Sequence, residues 1–234
     1  MKKKEKKKFL VFSAHPDDLD FGCAATIAKL TKEGNEVAYC VITNGEKGTH
    51  KINQTKKEMV ELREQEQCAA GVAVGVEEVI FLRETDGNLE CTRDIFKKIV
   101  RVIRQIKPNV ILSQDPGNLM FDNFYRFHRD HRKAAECVFD AIYPAAGLKA
   151  FFPELIKEDA LPHQIDEVWF YATDRPNHFI NISKTIAQKI EALRCHESQF
   201  HDFKEVEESV YKNARNQGKK KKMEHAEGFR RLTF

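Results

Sequence analysis

Three side chains suited to metal binding or proton transfer, His15, Asp17 and Asp18, follow directly after the apolar segment at residues 9–12. The apolar segment predicts a buried β-strand, and unpaired charges at its end would lose hydration at a cost on the order of several kcal/mol each. A bound metal ion would offset that cost. His15 and Asp18 have a spacing that lets both side chains face one centre at a strand-to-helix turn, which Pro16 stiffens.

A second cluster, His128, Asp130 and His131, is expected in the loop that follows the fourth predicted strand and opens the next helix. At that position it would face the first cluster across neighbouring strand ends. His131 then completes a set of three ligands with His15 and Asp18 and leaves a fourth position for water. An incomplete shell of nitrogen and carboxylate ligands is typical of a catalytic zinc site, although iron(II) or cobalt would also fit.

The other members of the two clusters have side chains suited to hydrolysis. Zinc lowers the pKa of its bound water to about 7 and polarises a carbonyl. We expect Asp17 to accept the proton of that water as a general base. We expect His128, as a cation, to stabilise a tetrahedral oxyanion or to protonate a leaving amine, with Asp130 holding its ring in orientation. Taken alone, the first cluster could be a capped turn, but two clusters at the ends of one predicted sheet favour a metal site.

The elements that must position these clusters alternate between short apolar strands and longer helical patterns, which is typical of a parallel sheet built from βαβ units. We predict strands at 8–14, 36–43, 78–82 and 109–113, and helices at 20–33, 55–74, 91–106 and 128–142. Strands at 167–172 and 179–182 precede a helix from 184 to about 200, with Ser183 as its N-cap.

Ligands bind beyond the carboxyl ends of the strands in sheets of this kind. The loops after the four predicted parallel strands would therefore converge at one end of the sheet. The turn after the first strand holds the single Gly22 and lacks a GxGxxG pattern, which excludes a dinucleotide site of the usual kind.

Composition limits the class of protein further. The chain has 234 residues, of which 41% are apolar and 32% charged, which is enough for one sizeable core. No segment approaches the roughly 18 uninterrupted apolar residues of a membrane span, and residues 1–8 lack the apolar core of a signal peptide. We expect a cytoplasmic protein in which all six cysteines are reduced.

Charge is unevenly distributed along the chain, although its net value is only +3. We expect residues 1–7 to form a basic, mobile N-terminus and residues 201–234 to form a charged helix followed by a mobile tail. Nucleic-acid binding through the lysine-rich ends is an alternative. Neither lysine run contains interleaved aromatic residues that could stack on bases, so no nucleic-acid partner is expected.

Several short segments, taken in order along the chain, resemble the LmbE-like, or PIG-L, deacetylases: AHPDD at 14–18, TNGE at 43–46, LREQE at 62–66, DG at 86–87 and HRDH at 128–131. The resemblance implies an LmbE-like deacetylase domain at 8–200. Its α/β fold would be a Rossmann-like three-layer sandwich with a mostly parallel sheet. It also implies a zinc-dependent hydrolase that removes the acetyl group from an N-acetylglucosamine unit, with the metal ligands and the roles of Asp17, His128 and Asp130 as above.

The resemblance suggests two substrate-binding residues as well. Arg63 would reach sugar hydroxyls, the alternative being a surface arginine paired with Glu66 or Glu58. Asp86 would contact the substrate or, as part of an Asp-Gly turn, only shape its loop.

Two features depart from the family pattern. Arg129 stands where the family usually has proline, which would loosen the second cluster or offer a positive charge to the substrate. The aromatic loop at 121–127 has no clear counterpart, and its rings would either stack on a sugar or pack the loop.

The leading hypothesis is therefore a metal-dependent amidohydrolase that acts on a linear amide and releases acetate and a free amine. Its expected partner is a small-molecule N-acetylated amino sugar or conjugate, and a homo-oligomer is possible. The alternative is a non-catalytic, zinc-dependent sugar-binding protein on the same fold, which would need neither Asp17 as a base nor His128 as an oxyanion partner.

Overall fold

Seven strands and six helices make up the fold in a computed structural model that describes residues 6–49, 53–118 and 124–234. The strands are β1 (Lys8–Ser13), β2 (Glu36–Thr43), β3 (Glu78–Glu84), β4 (Val110–Gln114), β5 (Glu167–Tyr171), β6 (His178–Asn181) and β7 (Ala226–Thr233). The helices are α1 (Asp18–Lys32), α2 (Lys56–Ala73), α3 (Arg93–Ile106), α4 (Arg129–Asp140), α5 (Ile186–Arg194) and α6 (Phe203–Lys219).

The strands form one mixed sheet in the order β3-β2-β1-β4-β5-β7-β6. The first five in that order pair in parallel, whereas β7 is antiparallel to both β5 and β6. From β1 to α4, the predicted strands and helices agree with the structure to within two residues at either end. The mostly parallel α/β sheet is confirmed.

Alternation along β1 shows why the sheet is covered on both faces. Leu10 and Phe12 belong to one apolar core, together with residues of α3 and α4. Phe9 and Val11 belong to a second core, together with residues of α1, α2 and α5. All four side chains are buried, as expected for the central strand of a three-layer sandwich.

The start of α1 differs from the starts of the neighbouring helices. Thr55 and Glu58 form a capping box at α2, and Thr92 caps α3 through its side chain. Asp17 occupies the cap position of α1 with a positive φ of 82°, and its side chain makes no capping hydrogen bond. The Asp17 carboxylate is therefore free for another role.

The expected mobile tail is wrong. Residues 201–234 do contain the predicted helix, α6, but residues 226–233 then form β7 inside the sheet. The predicted N-cap is also wrong, since α5 begins at Ile186 and Ser183 Oγ instead accepts a hydrogen bond from the backbone of His225, just before β7. Of the basic N-terminus, residues 1–5 lie outside the described residues, and Lys7 contacts Glu167.

The expectation of six reduced cysteines is wrong for one pair. Cys91, before α3, and Cys137, in α4, form a disulfide with Cα atoms 5.4 Å apart. The fold brings them together from positions 46 residues apart, which spacing along the chain could not indicate. Cys23, Cys40, Cys68 and Cys195 are free.

None of the helices in the described ranges is both long and apolar enough to cross a membrane.

Arg104 of α3 is fully buried and stabilises the irregular segment after α4. Its guanidinium donates to the carbonyl oxygens of residues 145, 146, 148, 151 and 152, at distances of 2.8–3.5 Å. A buried carbonyl group without a hydrogen-bond donor costs free energy of folding. By donating to five carbonyl groups, Arg104 stabilises the whole segment.

We expect Arg104→Met to lower the free energy of unfolding by about 3 kcal/mol or more, because several buried carbonyls lose their donor. Arg101→Met on the same helix removes only a partly exposed ion pair with Glu158 and should cost less than about 1 kcal/mol. Urea denaturation followed by circular dichroism measures both. Equal losses would contradict the supporting role of Arg104.

Candidate metal centre and active site

His15, Asp18 and His131 converge beyond the carboxyl end of β1. His15 Nδ1 lies 3.2 Å from Asp18 Oδ2 and 3.2 Å from His131 Nε2, and His131 Nε2 lies 3.0 Å from Asp18 Oδ1. Four ligands around a zinc ion at about 2.0–2.1 Å are roughly 3.3 Å apart in a tetrahedron. The two ring nitrogens and the Asp18 carboxylate thus have the separations that a shared metal ion requires.

The tautomer of His15 also fits a metal. Its Nε2 lies 3.1 Å from Asp86 Oδ1 and 3.2 Å from Asp130 Oδ2. Ionised carboxylates only accept hydrogen bonds, so with a metal bound at Nδ1 the Nε2 would carry the hydrogen and Nδ1 would present its lone pair on the side of Asp18 and His131. A carboxylate behind a ligating histidine is the usual arrangement at zinc sites.

Asp130 holds His15 and not His128, which corrects the expected role of its carboxylate. Besides His15, the carboxylate accepts from the backbone N–H groups of Gly87, at 2.6 Å, and Leu89, at 3.1 Å. Burial alone would raise the pKa of Asp130, but these hydrogen bonds outweigh it and hold the pKa at about 2. Asp130 therefore orients a metal ligand and the loop after β3 together.

Asp86 completes the same arrangement. Its Oδ1 faces His15, and its Oδ2 accepts from the backbone of Lys47, at 3.1 Å. The side chain is 7% exposed. Gly87 follows with φ 70°, so the Asp-Gly turn is present as well. These contacts make Asp86 a positioning residue for His15 and do not show the expected substrate contact.

Asp18 is oriented by a residue that sequence reasoning missed. Gln114, at the end of β4, donates from Nε2 to Asp18 Oδ2, at 3.1 Å, and accepts from the backbone of Ala14. The backbone N–H of His15 donates to the same carboxylate oxygen, at 2.8 Å. Burial raises the pKa of Asp18, but the facing His131 and His15 rings more than compensate and lower it well below its usual value.

Arg63 contacts the protein's own loops. Its guanidinium donates to Asp17 Oδ2 at 3.0 Å, to the Pro16 carbonyl at 2.7 Å and to the Gly45 carbonyl at 3.3 Å. At 4% exposure it is not a surface arginine paired with Glu66 or Glu58, and its contact with sugar hydroxyls stays a prediction. A side chain on Gly45 would collide with this guanidinium, with a Cβ 2.5 Å from Nη1, which explains the glycine there.

Asp17 lies beside the candidate metal position with an altered pKa. Burial raises the pKa of its carboxyl, the Arg63 charge lowers it, and the neighbouring Asp18 raises it, with a net increase. A carboxylate with a raised pKa is a better proton acceptor at neutral pH.

His128 is exposed and packs its ring against both ligand rings, with centroids 4.9 Å from His15 and 5.1 Å from His131. Its Nδ1 accepts from the backbone N–H of Asp130, at 3.2 Å, which leaves Nε2 to carry the hydrogen of the neutral ring. Burial and the two neighbouring rings lower the pKa of His128. The resting side chain is thus a neutral donor, which differs from the expected cation.

A cleft of about 1060 Å³ opens at the site. Asp17, Asp18 and His131 line it together with Phe21 and one face of α6. Its volume is sufficient for a small-molecule ligand.

The structure shows the contact of Arg129 and the placement of part of the aromatic loop, which are the two departures from the family pattern. Arg129 pairs with Glu90, so its charge is directed to the loop before α3. In the aromatic loop, residues 121–123 lie outside the described residues, Phe127 is buried, and Phe124 and Tyr125 are 97% and 86% exposed. Of the two alternatives, packing of the loop fits Phe127 but not Phe124 and Tyr125.

Comparison with known proteins decides the family. The model of the PIG-L family, described as GlcNAc-PI de-N-acetylase, matches residues 10–142. The chain belongs to the PIG-L (LmbE-like) family. The matched segment contains every residue of the candidate metal centre described above.

Several relatives of this PIG-L protein are deacetylases. Diacetylchitobiose deacetylase of Thermococcus kodakarensis is 36% identical over 226 residues, covering 96% of this chain and 82% of the relative. A probable N-acetyl-α-D-glucosaminyl L-malate deacetylase of Bacillus subtilis is 28% identical, covering 89% and 90%. The solved N,N'-diacetylchitobiose deacetylase of Pyrococcus horikoshii has the same fold, with a TM-score of 0.91, 27% identity and coverage of 98% and 85%.

A further polar group behind Asp17 was also missed at the level of sequence. Gln67 of α2 accepts from the backbone N–H of Asp17, at 2.9 Å, and donates to Asp20, at 2.8 Å. Asp20 in turn contacts His196 Nε2, at 2.9 Å, and both of these side chains are fully buried. Gln67 lies one helical turn after Arg63, and this shared helix face is the one signal in the sequence that could have indicated it.

We expect Asp130→Ala to weaken metal binding by about 10–100-fold, because His15 loses a partner that orients it. Competition with a chromophoric chelator measures the affinity. Asp140→Ala, at the exposed other end of α4, is the matched control and should leave it unchanged. An unaltered affinity in Asp130→Ala would place Asp130 outside the metal centre.

The Asp20–His196 pair should make stability depend on pH. Burial lowers the pKa of His196, but the hydrogen bond and charge of Asp20, with Asp17 and Glu66 adding to them, raise it above 6.5 overall. The stabilisation is therefore complete below the unfolded pKa and is lost as pH rises through the folded pKa. We expect the difference in unfolding free energy between the wild type and His196→Gln to shrink as pH rises above about 6.5. A constant difference would contradict the charged pair.

Proposed function

We propose that the protein removes the acetyl group from an N-acetylglucosamine-type amino sugar or conjugate by zinc-dependent hydrolysis of the amide. One observation carries the proposal: two imidazole nitrogens and a carboxylate lie within 3.2 Å of one another, with Asp17 beside them at the mouth of a cleft. The substrate class is supported by the names of two relatives, a diacetylchitobiose deacetylase and a probable deacetylase of a GlcNAc-malate compound.

The metal would be held by His15, Asp18 and His131. When bound, zinc lowers the pKa of water and polarises a carbonyl oxygen. Asp17 would accept the proton of the attacking water, because its carboxylate lines the cleft beside Asp18 and is held there by a hydrogen bond from Arg63. Two residues that are adjacent in sequence thus have separate functions.

His128 would stabilise the negative charge that develops on the acetyl oxygen. Its Nε2–H is the remaining donor, since Nδ1 is occupied by the Asp130 backbone. A donor held in place before the reaction contributes without reorganisation during it. After Asp17 has taken up a proton, the same carboxyl would be an acid available to the leaving amine, as would His128.

If the protein were the alternative, a non-catalytic sugar-binding protein, it would not need a general base. We expect Asp17→Asn to lower kcat by about 10²–10⁴-fold, with sugar affinity and metal content changed less than about twofold. Isothermal titration and amine release measure the two effects. Asp94→Asn, an exposed carboxylate on α3, is the control. Loss of sugar binding in parallel with activity would contradict the assignment of Asp17 as the base.

The substrate class is tested with enzyme that has been stripped by a chelator and reloaded with zinc. We expect amine release from at least one member of a panel of N-acetylglucosamine, its β-linked disaccharide, its malate conjugate and its inositol conjugate. Reloading with iron(II) or cobalt tests the choice of metal. No release from any N-acetyl sugar at full metal loading would overturn the deacetylase proposal. A cytoplasmic location stays a prediction, which cell fractionation would test.

A further inference from the structure

Asp17 is held in an unusual backbone conformation by contacts on both of its peptide groups. Its φ of 82° lies in a region of backbone conformation that residues other than glycine rarely adopt. Its carbonyl accepts from the backbone N–H groups of Asp20 and Phe21, at 2.9 and 3.0 Å. The carbonyl of Pro16, just before it, accepts from Arg63, and its own N–H donates to Gln67.

The orientation of the Gln67 side-chain amide is fixed by a neighbouring residue and not by Gln67 itself. An amide side chain can present either its oxygen or its nitrogen, and only the oxygen can accept from the Asp17 N–H. Asp20 Oδ2 removes that ambiguity, because a carboxylate accepts and so binds the Gln67 nitrogen, at 2.8 Å. The Gln67 oxygen is therefore forced to face Asp17.

His196 completes this directional chain from outside the segment that the family model matches. It lies just after α5, beyond residue 142, where the match ends. Its Nε2 donates to the same Asp20 oxygen, at 2.9 Å, and neither side chain is exposed. A buried carboxylate requires such a partner. The C-terminal half of the chain is thus connected to the backbone of Asp17 through the side chains of Asp20 and Gln67.

We propose that Gln67, Asp20 and His196 are positioning residues. They hold the Asp17 backbone so that the Asp17 carboxylate lies next to the attacking water. The inference rests on the proposed function for its catalytic consequence. Its structural part, the restraint of the Asp17 N–H, stands independently. A misplacement of a base by about 1 Å can cost about a hundredfold in rate, so an effect on kcat is expected although none of the three residues touches the substrate.

The first experiment compares Gln67→Leu with the wild type. We expect kcat to fall by about 10–100-fold, while KM and zinc content change less than about twofold. Hydrogen exchange of the Asp17 amide, followed by NMR, should become faster. Ile99→Ala, a core substitution on α3 away from the site, controls for a general loss of stability and should keep both kcat and the Asp17 exchange rate.

Asp20→Asn serves if Gln67→Leu does not fold. It keeps the size of the side chain but lets the Gln67 amide turn over, so kcat should fall as well. Combining the two substitutions should add little to the larger single loss, because they break one chain of contacts. At His196, glutamine keeps a donor to Asp20 and should keep most of the kcat that His196→Leu loses.

The outcomes separate this inference from the proposed function. Unchanged kcat and unchanged Asp17 exchange in Gln67→Leu would overturn the inference, as would equal losses of kcat in Gln67→Leu and Ile99→Ala. If the wild type released no amine from any N-acetyl sugar, the proposed function would fail. The exchange rate of the Asp17 amide alone would then decide whether the three residues restrain it.

Discussion

The contact of His15 Nε2 with two buried carboxylates is the feature on which the rest of the site depends. Two buried carboxylates, Asp86 and Asp130, can only accept, and both lie within 3.2 Å of this nitrogen. With a metal bound, Nε2 would keep its hydrogen for these carboxylates, and Nδ1, which faces Asp18 and His131, would present its lone pair. A hydrogen on Nδ1 would block that nitrogen as a ligand, so the tautomer of His15 and the candidate metal site depend on each other.

The same two carboxylates also join the loops that surround the site. Asp130, in the first turn of α4, accepts from the backbone after β3, and Asp86 accepts from the backbone after β2. A negative charge at the start of a helix is favourable, and backbone N–H groups satisfy the remaining lone pairs. Loop geometry and metal-ligand geometry are therefore specified by one set of contacts, and a change in either carboxylate affects both.

Much of this arrangement could be predicted because it depends on residue type and local spacing. Imidazole and carboxylate donors at His15, Asp18 and His131 identify themselves by their chemistry, and alternation of apolar segments predicts the parallel sheet. The direction in which Arg63 and Asp130 point could not be predicted, since it depends on which loop the fold places opposite them. Gln67 has only its place one helical turn after Arg63 as a signal and His196 has none, because their shared partner, Asp20, is distant in sequence. β7 was missed since its sequence is charged, and Arg231 reaches Glu167 only across the finished sheet.

The position of β7 has a consequence for the order in which the chain can fold. β7 is the last element along this sequence, yet it lies between β5 and β6. During synthesis, the free edge of β5 and the isolated β6 must therefore wait for residues 226–233 to emerge. An unpaired strand edge is a template for pairing with other chains. The antiparallel margin of the sheet is accordingly open to misassembly until β7 forms, whereas the strands of the parallel half and the candidate metal ligands all precede β7 along the chain.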